Sequence, residues 1–414
     1  MSESSPFINE LFGISWEETL RHMKENDPRI KSIISDGNDM QNVTDENWEE
    51  LGHAIANNSL LKKIDLFGET LSDHTISFFF RGLTRSSSIE ELSLCENGLS
   101  AAAVPSMVPF LQSANNLTRL NLGQNSLQTE GFNFLLRALS NCPVEELFCS
   151  NCGIESIEID SENKPEHLKL LYLTSNNIDT DGCRGLAKLL QGDSTLTELH
   201  LENNNIDDEG VEIMVETLKS NVSLRQLHLR GNEGISRQGI IMLLKLVNDI
   251  SSIDATLQSN HTLTRLDVID FGEQIIQMHF INTTVINRNS GSPEAAGRAK
   301  VIQTQLHSER RAQFAELQGV DHSVYSEIDP LHLPEVLALV GNHHGQGEFY
   351  LTLRSSIAEV ISTVNREQYL KQQRADLKAK LEAIEAEIAT IEAAKEQAVG
   401  IGSEAPRNNK RRRK

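Results

Sequence analysis

One spaced pattern of leucines recurs along this chain and leaves it few ways to fold. The pattern is LxxLxLxxN followed by one residue and an aliphatic side chain. It reads Leu117, Leu120, Leu122, Asn125, Leu127, then Leu168, Leu171, Leu173, Asn176, Ile178, then Leu196, Leu199, Leu201, Asn204, Ile206. Further copies begin at Ile30, Leu61, Ile89, Val144, Leu224 and Leu263, and the successive spacings are 31, 28, 28, 27, 24, 28, 28 and 39 residues. A fixed period of this size marks a stack of equal structural units, each too small to bury its own apolar face.

Within each unit the first half alternates apolar and polar residues, which is strand periodicity. In the second half Ile206, Val211, Met214, Val215 and Leu218 stand at helical spacing, with Gly210 opening the run, and residues 127–139 and 235–247 repeat it. Each unit is therefore a strand, a turn and a helix. Stacked, such units form a parallel inner sheet and an outer wall of helices. Helices are thicker than the strand spacing of about 4.7 Å, so the stack curves with its strands inside. The asparagine slot follows each strand, where its amide can satisfy the backbone groups of a tight turn.

These residues resemble the leucine-rich repeat family, in its ribonuclease-inhibitor-like subfamily, over roughly residues 30 to 271; the lead-ins Asn221 to Leu224 and Ser194 to Leu196 fit it too. The resemblance implies an α/β solenoid, a curved horseshoe, followed here by a helical and coiled-coil C-terminal region. It also implies an intracellular protein-binding scaffold. One branch of the family activates small GTPases, which makes regulation of such a GTPase the alternative function. That branch ends in a strongly acidic tail, whereas this chain ends in a basic one. Inhibition of a nuclease is a third reading, and it requires an acidic inner face.

Departures from the pattern are few. In the unit at Val144, Cys149 takes a leucine slot and Cys152 the asparagine slot, giving a CxxC; the repeat explains both thiols better than zinc or redox chemistry does. That unit is short, so a short helix and a thin outer wall are expected there. About eleven extra residues around Asn248 to Ser259 predict a loop or a lengthened helix at one edge.

Side chains between the leucines project from the inner sheet into solvent. The slot between the second and third leucines holds Ile34, Asp65, Ser93, Asn121, Phe148, Tyr172, His200, His228 and Asp267. Neighbouring slots add Leu170, Glu202, Arg230, Glu146, Glu198 and Gln226. A merely solvated face has no need of adjacent Phe148, Tyr172 and Leu170, so a protein-binding patch of Phe148, Leu170, Tyr172, His200, Glu202, His228 and Arg230 is expected. Coverage of the patch by another segment of the same chain is the bland alternative. His200 and His228 stand one strand apart and could share a metal, but apart from nearby Glu202 nothing completes a ligand set. No metal site and no cofactor are therefore expected, and a pH-sensitive rim is the second reading of the pair.

No GxxxxGKS/T, HExxH or GxSxG motif occurs, so no catalytic residues and no enzyme are expected. The formal charge is −21, and the last eight residues carry +6, which leaves −27 on residues 1–406. A body so acidic repels phosphate backbones, so nucleic acid is an unlikely partner. No apolar run is long enough for a membrane span and no secretory signal opens the chain, so a cytoplasmic location is expected, with five free cysteines in a reducing compartment.

The expected domains are an N-terminal cap (1–29), a solenoid of about nine repeats plus cap (30–286), a linker (287–293), a helical region (294–356), a coiled-coil helix (357–398) and a disordered basic tail (399–414). Phe7, Ile8, Leu11, Phe12, Ile14, Trp16 and Leu20 can close one end of the core, and residues 273–282 the other. In the long helix Leu377, Leu381, Ile384, Ile388 and Ile391 make a short coiled-coil seam. A homodimer through residues 357–398, a hairpin with residues 294–318 and a partner helix are its three readings. His332, His343 and His344 around GNHHGQG are read as turn residues rather than ligands. Lys410, Arg411, Arg412, Arg413 and Lys414 resemble a nuclear-localisation signal, which adds the nucleus to the expected locations.

Overall fold

The computed structural model describes residues 10–268, apart from 13–14, 36, 38–39, 41–42, 160–163, 193 and 252, together with Lys300 and Lys378. The chain divides into two compact units, Met1–Ser323 and Val324–Lys414, and all described residues except Lys378 belong to the first. Apart from Lys300 of the helical region and Lys378 of the long helix, the expected cap at 273–282, linker, helical region, coiled-coil seam and basic tail lie outside the described residues.

The repeats fold as the spacing requires. Ten described strands form one parallel sheet in strict chain order: β1 (Glu10–Phe12), β2 (Ser32–Ser35), β3 (Lys63–Leu66), β4 (Glu91–Ser93), β5 (Arg119–Asn121), β6 (Glu146–Phe148), β7 (Leu170–Tyr172), β8 (Glu198–His200), β9 (Gln226–His228) and β10 (Arg265–Asp267). Every neighbouring pair keeps the same register, so Leu92, Leu120, Leu147, Leu171, Leu199, Leu227 and Leu266 stand side by side. All seven are buried against the helical side. Strand β1 is an addition that the leucine spacing did not reveal, since residues 10–12 carry no LxxLxLxxN; the expected N-terminal cap supplies its own strand and α1 (Trp16–Glu25).

The outer layer consists of α2 (Asp45–Ala56), α3 (Asp73–Leu83), α4 (Val104–Ser113), α5 (Gln128–Ala138), α6 (Thr180–Leu190), α7 (Asp208–Leu218) and α8 (Arg237–Asn248), with a short α9 (Ile253–Gln258). Ser15, Thr44, Ser72, Asp179, Asp207 and Ser236 cap six of the helices by accepting a first-turn backbone N–H. Each such cap stabilises by about 1 kcal/mol and ties the helix start to the turn before it. The extra residues before Leu263 are used by ending α8 at Asn248 and starting α9 at Ile253, rather than by lengthening one helix.

The short unit departs from expectation. Residues 153–159 form no helix, and the chain runs irregularly with Ile154, Ile157 and Ile159 buried. Its amides bond to the previous repeat instead: Glu155 N–H donates to Thr129 Oγ1 at 3.0 Å and Glu158 N–H to Asn133 Oδ1 at 2.9 Å. Too few residues separate the strands for a full helix, and three isoleucines fill its place in the core.

The asparagine slots carry the turns. Asn204 Nδ2 donates to Leu173 O at 3.0 Å, Leu201 O at 3.0 Å and Glu202 O at 3.2 Å, while its Oδ1 accepts from Ile178 N at 3.0 Å. Asn125, Asn176 and Asn232 do likewise, so a ladder of buried amides binds each repeat to the one before it. Cys152 replaces one rung with a weaker donor: its thiol donates to Leu122 O at 3.3 Å and Ser150 O at 3.5 Å. Burial pushes the neighbouring Cys149 thiol well up from its ordinary range, as suits a core residue rather than a thiolate ligand.

Candidate protein-binding face

Uniform register places equal slots of successive strands above one another at the strand spacing, so planar side chains in one row must stack. Phe148 pairs in register with Tyr172, Tyr172 with His200, and His200 with His228. Their rings form one column, with centroid separations of 4.8, 3.7 and 4.2 Å and interplanar angles of 15, 12 and 5°. Charges close the column at both ends. The Arg119 guanidinium lies 5.7 Å from the Phe148 ring centre, and Asp267 Oδ2 lies 3.0 Å from His228 Nδ1.

Carboxylates flank the column along its length. His200 bonds Glu198 Oε1 through Nε2 at 2.8 Å and Glu202 Oε1 through Nδ1 at 3.1 Å. Thr174 Oγ1 donates to Glu202 Oε2 at 2.8 Å, and Gln226 Nε2 to Glu198 Oε2 at 3.2 Å. Burial works to lower the pKa of His200, but the bonds to Glu202 and Glu198 outweigh it and hold the imidazole above its ordinary value. For Glu202 burial pulls upward and is outweighed by the bond from His200, which keeps the carboxyl low. Asp267 is held low chiefly by His228. The Tyr172 phenol is raised by burial first and then by Glu198, Glu202 and Glu146, a measure of the negative potential over the rings.

The expected site residues do gather on one face, with unequal exposure. Phe148, Leu170, Tyr172 and Glu202 are half-buried and Arg230 is exposed, its guanidinium 4.0 Å from Asp267. His200 and His228 are a correction. Although they stand in solvent-facing slots, they are only 7 % and 6 % exposed, because Tyr172 and His228 cover the two faces of His200, His200 and Asp267 flank His228, and Glu198 and Glu202 stand at the edges of His200. Spacing set only Glu202 beside the two imidazoles as a third group; Glu198, read from a neighbouring slot of the face, stands there as well. Arg119, Thr174 and Arg265 were missed as parts of the face. Arg119 shares the slot of Glu146 and Glu198 in the repeat, and that shared slot was the available signal.

Fold and inner face together define a leucine-rich repeat solenoid of the ribonuclease-inhibitor-like kind. The family description "Leucine Rich repeat" matches residues 164–187, 192–212 and 220–244. "NACHT, LRR and PYD domains-containing protein 14" of Mus musculus is 29 % identical over 159 residues, which are 36 % of this chain and 16 % of that protein. "Ribonuclease inhibitor" of Mus musculus is 27 % identical over 165 residues, 38 % of this chain and 36 % of the relative. "Ribonuclease inhibitor" of Sus scrofa is 28 % identical over 162 residues, 37 % and 35 % respectively. The matches therefore span little more than a third of these relatives at most. The alignment with a solved structure, "Leiomodin-1 Actin-Binding Site 2 (ABS2)", is 15 % identical and covers 72 % of this chain and 98 % of that one, with a TM-score of 0.20. Repeats of this kind serve as scaffolds for binding proteins. No helix among the described residues is long and apolar enough to cross a membrane.

Proposed function

We propose that the inner sheet face from β5 to β10 binds a protein partner. The observation that carries this reading is the ring column, whose Phe148 and Tyr172 end stays half-buried beside Leu170 while its histidine end is covered. Aromatic edges held rigid by their neighbours lose little freedom on binding and act as anchors. Glu146, Glu198 and Glu202 surround them with negative potential, so the favoured partner presents an apolar or aromatic side chain ringed by basic groups. The ribonuclease inhibitor relatives, named for a protein target, are consistent with such a role.

Affinity purification with wild-type chain and with Phe148→Ala plus Tyr172→Ala tests the reading. Loss of two anchors weakens a true partner by at least about thirtyfold, so it disappears from the variant's eluate. Identical co-purifying proteins from a variant with an unchanged circular dichroism spectrum sink it.

A further inference from the structure

We propose that Glu198, His200 and His228 bind one divalent transition-metal ion of zinc's class. One ligand atom from each residue lies within 4.8 Å of the other two. The backbone creates this juxtaposition: Glu198 and His200, two apart on β8, share a face, and register sets His228 of β9 beside His200.

Three features separate this cluster from ordinary polar packing. First, each imidazole is held at Nδ1 by a carboxylate, His228 by Asp267 Oδ2 at 3.0 Å and His200 by Glu202 Oε1 at 3.1 Å. Assigned from this network, Nδ1 carries the proton in both rings; Nε2 of His228 carries a free lone pair, while Nε2 of His200 is protonated toward Glu198 and becomes a ligand on losing that proton. That is the outer-shell arrangement that orients metal-ligating histidines. Second, His228 Nε2 is buried and has no hydrogen-bond partner, an acceptor left without a donor in a residue 6 % exposed. A cation between Nε2 of His228, Nε2 of His200 and the Glu198 carboxylate satisfies it. Third, the charges suit a cation. Glu198, Glu202 and Asp267 face the two rings, and the cations near them are Arg265, 2.8 Å from Asp267, and Arg230, 4.0 Å from it.

Two imidazoles and one carboxylate form a ligand set of borderline softness that suits zinc, and it leaves a coordination position for water or a partner's side chain. Bond lengths of about 2.0–2.1 Å place two nitrogens about 3.4 Å apart, so loading tilts the rings, now 4.2 Å apart, toward each other at their Nε2 edges. His200 Nε2 releases its proton to solvent and exchanges its Glu198 contact for the metal, and Glu198 turns from hydrogen-bond acceptor to ligand. The inference does not depend on protein binding at the same face, since the purified chain alone suffices to test it.

Equilibrium dialysis of the full chain with Zn²⁺, run beside His228→Gln and Glu198→Gln, decides the matter. Sites elsewhere in the chain contribute equally to all three. The expected result is one more equivalent of Zn²⁺ on the wild type than on His228→Gln, and at least tenfold weaker binding of that equivalent by Glu198→Gln. Co²⁺ substitution should give the weak visible bands of nitrogen and oxygen ligation and no intense thiolate charge transfer, which separates this site from Cys149 and Cys152. Equal zinc stoichiometry and affinity in wild type and folded His228→Gln overturns the proposal. Should His228→Gln not fold, unchanged affinity in Glu198→Gln, which keeps a hydrogen bond to His200, overturns it equally.

Discussion

Asn204 shows how much one side chain can carry in a repeat. Its amide group closes a turn in its own unit and accepts from the unit before it, and it is 5 % exposed. Asn204→Ala strands the Ile178 amide and removes a donor from three carbonyls, at a cost of about 3 kcal/mol. Urea denaturation should show the unfolding free energy falling by that amount, through a lower midpoint at unchanged slope; a loss under about 1 kcal/mol would mean that water replaces the rung. The slot itself is legible in sequence, because the asparagine recurs at a fixed distance after the leucines. Its substitution by Cys152 is legible too, and the buried free thiol agrees with that reading. The covered state of His200 and His228 is not legible. A pattern places them on the solvent side of a strand, but only the neighbouring rows supply the rings and carboxylates that shield them.

At the scale of elements, the short unit between β6 and β7 controls how closely α6 approaches the core. A Cβ on Gly185 would stand 1.9 Å from Ile157 O, and one on Gly182 2.8 Å from Glu155 O. The helix therefore lies directly on the irregular backbone of residues 153–159, a contact only glycine allows. Gly185→Ala must push α6 off that segment, costing about 3 kcal/mol. Gly98→Ala makes the comparison: Gly98 has φ +73° and open space around the added atom, so only the left-handed backbone resists, at about 1–2 kcal/mol. Chemical denaturation of the two variants checks the order; a smaller loss at Gly185 would mean that residues 153–159 yield. The missing helix was not predicted, because the short spacing signals a deficit of residues without telling which conformation absorbs it. Strand β1 escaped for the converse reason: it pairs through backbone groups, and Glu10–Phe12 repeats none of the leucine pattern.

For the whole molecule, each repeat touches chiefly its neighbours, so stability accumulates along the stack and the ends need cover. At the first end α1 provides it, with Thr19, Leu20 and Met23 buried. The seam expected from the spacing of Leu377, Leu381, Ile384, Ile388 and Ile391 makes a separate prediction about assembly. If that seam pairs two copies, light scattering should give the full chain twice the mass of one copy and a chain ending at residue 356 a single copy's mass. Equal copy number in both removes the dimer reading. The solenoid was decided by the sequence alone, since leucines at a 28-residue period can be buried together only by stacking like units. The column of rings, the shielding of its histidines and the approach of Glu198 to His228 were decided by tertiary structure, because side chains 24 to 30 residues apart become neighbours only when uniform register brings their strands side by side.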